Sequence, residues 1–187
     1  MAALALLAIL AGAALAAIAL YNRFVRLRVQ ADNAWADVDV QLKRRHDLVP
    51  NLVETVKGYA GHERQTLEAV IAARNRALAA SGPAAKGEAE GSLGRAIQSL
   101  FALAEAYPQL RAVESFGQLQ KSLADVEDAL QSARRYYNAV VRDLNASIGQ
   151  FPGNVVASTF GFGPREFFEL ADEAERAAPA VSFKTGT

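Results

Sequence analysis

The sequence contains no cysteine. That excludes disulfides, thiolate nucleophiles and cysteine-based metal sites, and it leaves the redox compartment open. A surplus of either charge is also missing, since 20 basic side chains face 20 acidic ones. A nucleic-acid binder carries a basic surplus, so no nucleic-acid partner is expected. Histidine is scarce, with two residues, and neither has the neighbours a metal site needs. A helical di-iron centre uses Glu-x-x-His pairs, but Lys43 stands three before His46 and Tyr59 three before His62. "HERQT" lacks the second histidine of a zinc-peptidase helix. On a straight helix His46 and His62 point to nearly opposite sides, and both read as surface residues. Phosphate loops and nucleophile elbows are missing too. "GPAAKGEAEG" lacks a Gly-Lys-Ser/Thr ending, "GFGP" places Pro164 where a dinucleotide turn needs free backbone, and no G-x-S-x-G occurs. No catalytic, cofactor-binding or metal-ligating residue is assigned, and the chain is not expected to be an enzyme.

What is present begins with an uncharged run. From Ala2 to Leu20 every residue is Ala, Leu, Ile or Gly. At ~1.5 Å per residue this spans roughly 28 Å, close to the ~30 Å hydrocarbon core of a bilayer. A cleavable signal peptide has a basic start and a shorter apolar run. Here no Lys or Arg precedes the run, while Arg23, Arg26 and Arg28 follow it. An uncleaved single span is favoured over a signal peptide or a buried helix. The three arginines place the C-terminal body in the cytoplasm by the positive-inside rule, with the span in a bacterial inner membrane. The division expected is an anchor over residues 1–21, a helical body over 22–170, and a flexible tail over 171–187.

The body shows helical periodicity and no strand pattern of useful length. Trp35, Val38, Leu42, Val49, Leu52, Val56, Tyr59 and Val70 form one seam, which continues towards Ala79. "SGPAAKGEAEGS" then reads as a loop of little consequence. A shorter helix runs from Leu93 to Tyr107 and ends at Pro108. A second long seam follows through Phe116, Leu119, Leu123, Val126, Leu130, Ala133, Tyr137, Val140, Leu144 and Phe151, with Ser147 inside it. The fold expected is all-α, an elongated antiparallel bundle with coiled-coil-like packing behind an N-terminal transmembrane helix. Pairing the seams by their ends sets Trp35 near Phe151, Val70 near Phe116, and Arg45 near Tyr137 to Val141. Lys121, Asp125, Glu127 and Asp128 then lie on a solvated face.

The stretch "QLKRRHDLVPNLVETV" places Pro50 and a basic cluster inside the first seam. The seam keeps its phase across Pro50, which favours one helix bent there, with the His46 carbonyl deprived of its usual partner. The four residues Lys43 to His46 spread round the helix, so they make no single basic face. Arg45 falls on the inner stripe, where a guanidinium must be paired or reach water. The candidate polar layer comprises Arg45, Asp47, Asn51, Tyr137, Asn138 and Asn145. It serves either to fix register or to hold a ligand or switch. Further on, "FPGNVVASTFGFGPREFFEL" holds five of the nine Phe, broken by glycines and prolines, near the membrane end. It packs on the bundle or meets a partner or lipid, and packing is favoured.

"VDVQLKRRHDLVPNLVETVKGYAGHE", "YPQL", "LQ", "ARRYYNAVVRDLN" and "FPGNVVASTFGF", in this order and spacing, closely resemble the LemA family. The match covers nearly all of the chain after the anchor. The resemblance implies a membrane-associated protein with one N-terminal span and a long antiparallel helical body. It carries over no biochemical activity and no catalytic residue. The function expected is a membrane-anchored scaffold or adaptor, bound to the bilayer through residues 2–20, with an unidentified protein partner and a possible homo-oligomer. The alternative is an enzyme of unfamiliar type, or a ligand sensor, built on the polar layer around Arg45 and Asn138.

Overall fold

The apolar run and the first seam as far as Tyr59 belong to one unbroken helix. In the computed structural model, which describes residues 1–170, α1 spans Ala2–Ala60 and includes Pro50 within it. The expected tail over 171–187 lies outside the described residues. α2 (Arg64–Ala79), α3 (Pro83–Ala104), the short α4 (Pro108–Arg111), α5 (Glu114–Gly149) and α6 (Gly153–Phe160) follow, with no strand among the described residues. The fold is all-α, with its two longest helices antiparallel.

Pro50 is tolerated because its cost is met from another helix. Without an amide N–H at position 50, the carbonyl of His46 has no intrahelical donor. Nε of Arg74, on α2, donates to it at 2.8 Å. Removing the Arg74 fork, as in Arg74→Leu, is therefore expected to cost about 1 kcal/mol. In a Pro50→Ala background, where the amide returns, the same change is expected to cost measurably less. Urea denaturation of the four chains of that cycle checks the coupling.

The first seam does not run through to Val70. α1 stops at Ala60, a tight turn follows, and α2 folds back along α1 so that Arg74 reaches His46. This reversal moves the register between the long helices. Trp35 meets Tyr137, with ring centroids 5.1 Å apart, and Arg45 meets Glu127. The expected pairings of Trp35 with Phe151 and of Arg45 with Tyr137 to Val141 are thus incorrect, because matching the seam ends assumed a first helix that extends to Val70. The second seam ends at the buried Ser147, and Phe151 lies outside it, exposed.

The expected loop over 81–92 is mostly helix. α3 begins at Pro83, a position where a proline costs no hydrogen bond. Its glycines serve close packing rather than turns. A Cβ on Gly87 would collide with the backbone of Glu169, and one on Gly94 would come within 3.1 Å of the Arg45 guanidinium. α3 runs parallel to α1, as shown by the Lys86–Asp39 ion pair near one end and Tyr107 Oη donating to Glu63 (3.2 Å) near the other.

The body therefore has two unequal halves. Away from the apolar run, α1, α2, α3 and α5 enclose a core that includes Val49, Leu52, Val70, Leu93 and Leu100. Nearer the apolar run, the α1–α5 seam continues through Ala31, Ala34, Val38, Tyr137 and Val141, beyond α2 and flanked by α3 only at its N-terminal turns, where Lys86 lies over Trp35. Two helices alone would leave that seam in water. The Phe-rich C-terminal segment covers it: α6 packs beside Phe24 and Leu144, and an extended strap from Phe162 to Leu170 runs back over the seam.

Candidate functional site

Where the four-helix half meets the two-helix half, α1 turns two adjacent polar residues inward. Arg45 and His46 are both buried, and both reach Glu90 of α3, which is only 1% exposed. Nη1 of Arg45 donates to Oε2 of Glu90 at 3.3 Å, and Nε2 of His46 lies 2.5 Å from Oε1. A carboxylate can only accept, so Nε2 of His46 is the donor in this contact. The other arm of Arg45 reaches Glu127 of α5 at 3.2 Å. One guanidinium thus ties α1, α3 and α5 together. Among the described residues no buried side-chain polar atom lacks a partner.

These contacts form the wall of a cleft of about 540 Å³ between α3 and α5, whose rim includes Gln98, Gln120, Gln131 and Leu170. Gly91 and Gly94 keep the α3 side open. Among the described residues no group of three or more His, Asp or Glu side chains gathers as a metal site requires. The cleft offers a guanidinium, two carboxylates and side-chain amides over an apolar floor of Ile97, Phe101 and Leu123. Such a surface suits binding.

The six polar-layer residues do not form one layer. Asp47 and Asn51 are exposed, because they fall on the outer side of α1. Arg45 is buried as expected on the inner stripe, but its partners are Glu90 and Glu127 rather than Asn138 or Tyr137. His46 is buried rather than on the surface, and Glu127 is only partly solvated. Tyr137, Asn138 and Asn145 act together, one level nearer the apolar run, on the strap. Asn138 donates to the carbonyl of Phe168 (3.0 Å) and accepts from its N–H (2.9 Å). Asn145 does the same for Arg165, at 2.9 and 2.8 Å. Seven residues of helix advance ~10.5 Å and three of extended chain ~10 Å, so a heptad of α5 matches a three-residue step of the strap. The strap's side chains complete the fit. Phe168 is fully buried with its ring 5.6 Å from Trp35, and Arg165 pairs with Asp32 at 2.6 Å.

Tyr137 Oη donates to the carbonyl of Glu166 at 2.9 Å. Burial holds this phenol above its ordinary value of 10.0, with the carboxylates of Glu166 and Asp32 adding to the rise and Arg165 opposing it. The unfolded chain therefore loses this proton first as pH rises. Stability owed to the neutral phenol is intact below pH 10.0 and is lost as pH climbs through the raised value. Tyr137→Phe is expected to flatten that alkaline decline and to cost about 1 kcal/mol at neutral pH, as read by melting curves from pH 8 to 11.

Glu90 is the residue that sequence reasoning missed. Its signal was the Leu93, Ile97, Leu100 seam, which extended backwards by threes and fours lands on Glu90 and Gly87. Set against known proteins, the chain is 26% identical over 176 residues to magnetosome protein MamQ 2 of Paramagnetospirillum magneticum, covering 80% of this chain and 64% of that protein. The MamQ of Magnetospirillum gryphiswaldense matches at 26% over 174 residues, covering 79% and 64%. Protein LemA of Metamycoplasma hominis matches at 24% over 159 residues, covering 83% and 71%. The chain thus spans about two-thirds of the length of these relatives, slightly less for MamQ. The family model for the LemA family covers residues 34–183, so the strap-and-cleft body described above lies within the matched region, and the chain belongs to the LemA family.

Proposed function

We propose that this protein is a single-span, membrane-anchored helical scaffold whose α3–α5 cleft binds a protein partner at a fixed height above the bilayer. The observation that carries the reading is the continuity of α1. An apolar run with the length and composition of a membrane span passes without interruption into the helix that holds Arg45. No flexible linker separates the two, so the cleft is held roughly 38 Å beyond the end of the run. Arg23, Arg26 and Arg28 favour a cytoplasmic body on a bacterial inner membrane. The body acts by binding rather than by catalysis, and its zero net charge argues against nucleic acid as the partner.

Photo-crosslinking side chains placed at Gln98 and Gln120, on the cleft rim, test this in intact cells. Both are expected to give a discrete, shared adduct, whereas the same group at the exposed Glu68 and Arg142 is expected to give none. Equal labelling at all four positions, or none at any, would overturn the cleft as the binding surface. A second reading, a ligand sensor, is favoured by the cleft volume, which falls within the ~300–1,000 Å³ of small-molecule pockets. Native mass spectrometry of the full chain would then show a bound species that Arg45→Met releases.

A further inference from the structure

The C-terminal end of the apolar run does not stand clear of the body. Ala17 and Leu20, in its last turn, are partly buried against the cluster of Phe24, Leu144, Val156 and Ala157. Tyr21 stacks edge-on against Phe160 (5.0 Å) and Phe162 (5.5 Å). α6 is therefore fixed beside the end of the run, at the level where a spanning α1 leaves the hydrocarbon.

The outer surface at this level is apolar. Phe151 is 83% exposed, Val155 54% and Phe160 57%. At 100° per residue Val155 and Thr159 share one face of α6, and Phe151 lies just ahead of the helix. The hydroxyls of Ser158 and Thr159 are already satisfied, both donating to the carbonyl of Val155 at 2.9 and 2.8 Å. From Gln150 to Gly163 the chain carries no charged side chain. On α1, Arg23 and Arg26 are exposed, and the Arg28 guanidinium sits 5.5 Å above the Phe162 ring. Exposed aromatics with an arginine fringe, beside the end of an apolar helix, are what the headgroup and upper acyl region of a bilayer accommodates.

We infer that Phe151, α6 and Phe160 form a second membrane contact, seated in the interfacial zone of the bilayer that α1 enters. The inference rests on α1 being a span. The contact gives the rod a footing beside its anchor and resists tilting of the cleft relative to the membrane. Its partner is lipid, and continuity with the apolar run selects lipid over another protein.

The test uses the full-length chain in phosphatidylcholine vesicles whose acyl chains carry bromine at shallow or deep positions, with Trp35→Phe removing the natural fluorophore. Tryptophan is introduced singly at Phe151, Phe160, Leu10 or Tyr59. Phe151 is exposed enough for the exchange to leave packing intact. Shallow bromines are expected to quench Phe151→Trp and Phe160→Trp by about half, and deep bromines much less. Leu10→Trp is expected to show the reverse order, and Tyr59→Trp, at the far end of α1, no quenching. If Leu10→Trp is quenched while positions 151 and 160 behave like position 59, the second contact is overturned and the span stands. If Leu10→Trp is also unquenched, the spanning reading fails and the contact with it. Because the chain has no cysteine, Val155→Cys supplies a further arm. Rapid disulfide dimerisation through position 155 in vesicles would assign the face to a second copy and overturn the lipid contact.

Discussion

Glu90→Ala is expected to lower the stability of the body by about 3–5 kcal/mol, the cost of breaking a buried ion pair from one side. For a chain of this size that is a fall of roughly 6–20 °C in melting temperature. The size of the effect follows from what is left behind. Glu90 is almost fully buried and accepts from both Arg45 and His46, so its loss strands a guanidinium and an imidazole inside the bundle. Glu127 can hold only one arm of Arg45, and from a partly exposed position. Glu90→Gln keeps the shape and one acceptor, and is expected to lose less than half as much. The decisive comparison is a joint replacement, Arg45→Met with His46→Leu and Glu90→Leu, which removes every stranded charge at once. It is expected to recover most of the lost stability, because a buried ion pair is repaid only in part. Thermal melts in one detergent compare the four chains. A Glu90→Ala chain that melts within a degree or two of the parent would show that the three-helix junction does not depend on this carboxylate.

Such a cluster is half legible in the sequence, and the reason is physical. Periodicity shows which face of a helix is buried, so it placed Arg45 inward and carried one helix across Pro50, freeing the carbonyl that Arg74 takes. The order of faces across a bundle is set by where chains reverse, and nothing in the seam marks the turn after Ala60. Misplacing that turn shifted the α1–α5 register and with it the assumed partner of Arg45. Glycine was misleading in the opposite sense. Gly87 and Gly91 read as part of a loop, yet both lie in α3, where Gly87 admits the strap backbone and Gly94 the Arg45 guanidinium. The asparagines were identified as polar residues on α5, but a side chain that binds extended backbone leaves no period of its own. Their purpose appears only once the strap lies over them.

That strap is the second place where a single residue is expected to matter most. Phe168→Ala is expected to cost about 3–5 kcal/mol, since it removes a fully buried ring from a seam that has no other cover. In the four-helix half, neighbouring helices could shift to fill part of such a void. Nearer the apolar run α1 and α5 flank the ring, with Trp35 and Tyr137 on its borders. Asn138→Ala keeps the ring but leaves the N–H and carbonyl of Phe168 without their side-chain partners, at a cost of about 1–3 kcal/mol. The two changes act on one residue of the strap and are expected to be less than additive when combined. Hydrogen exchange separates this from a general loosening. The amides of Arg165 and Phe168 are expected to lose protection in both variants, while the amides of α2, which belongs to the other half, keep theirs. Equal loss of protection throughout the body would mean that the strap and the four-helix half unfold as one unit. Unchanged exchange at Phe168 would mean that the asparagine ladder does not hold the strap.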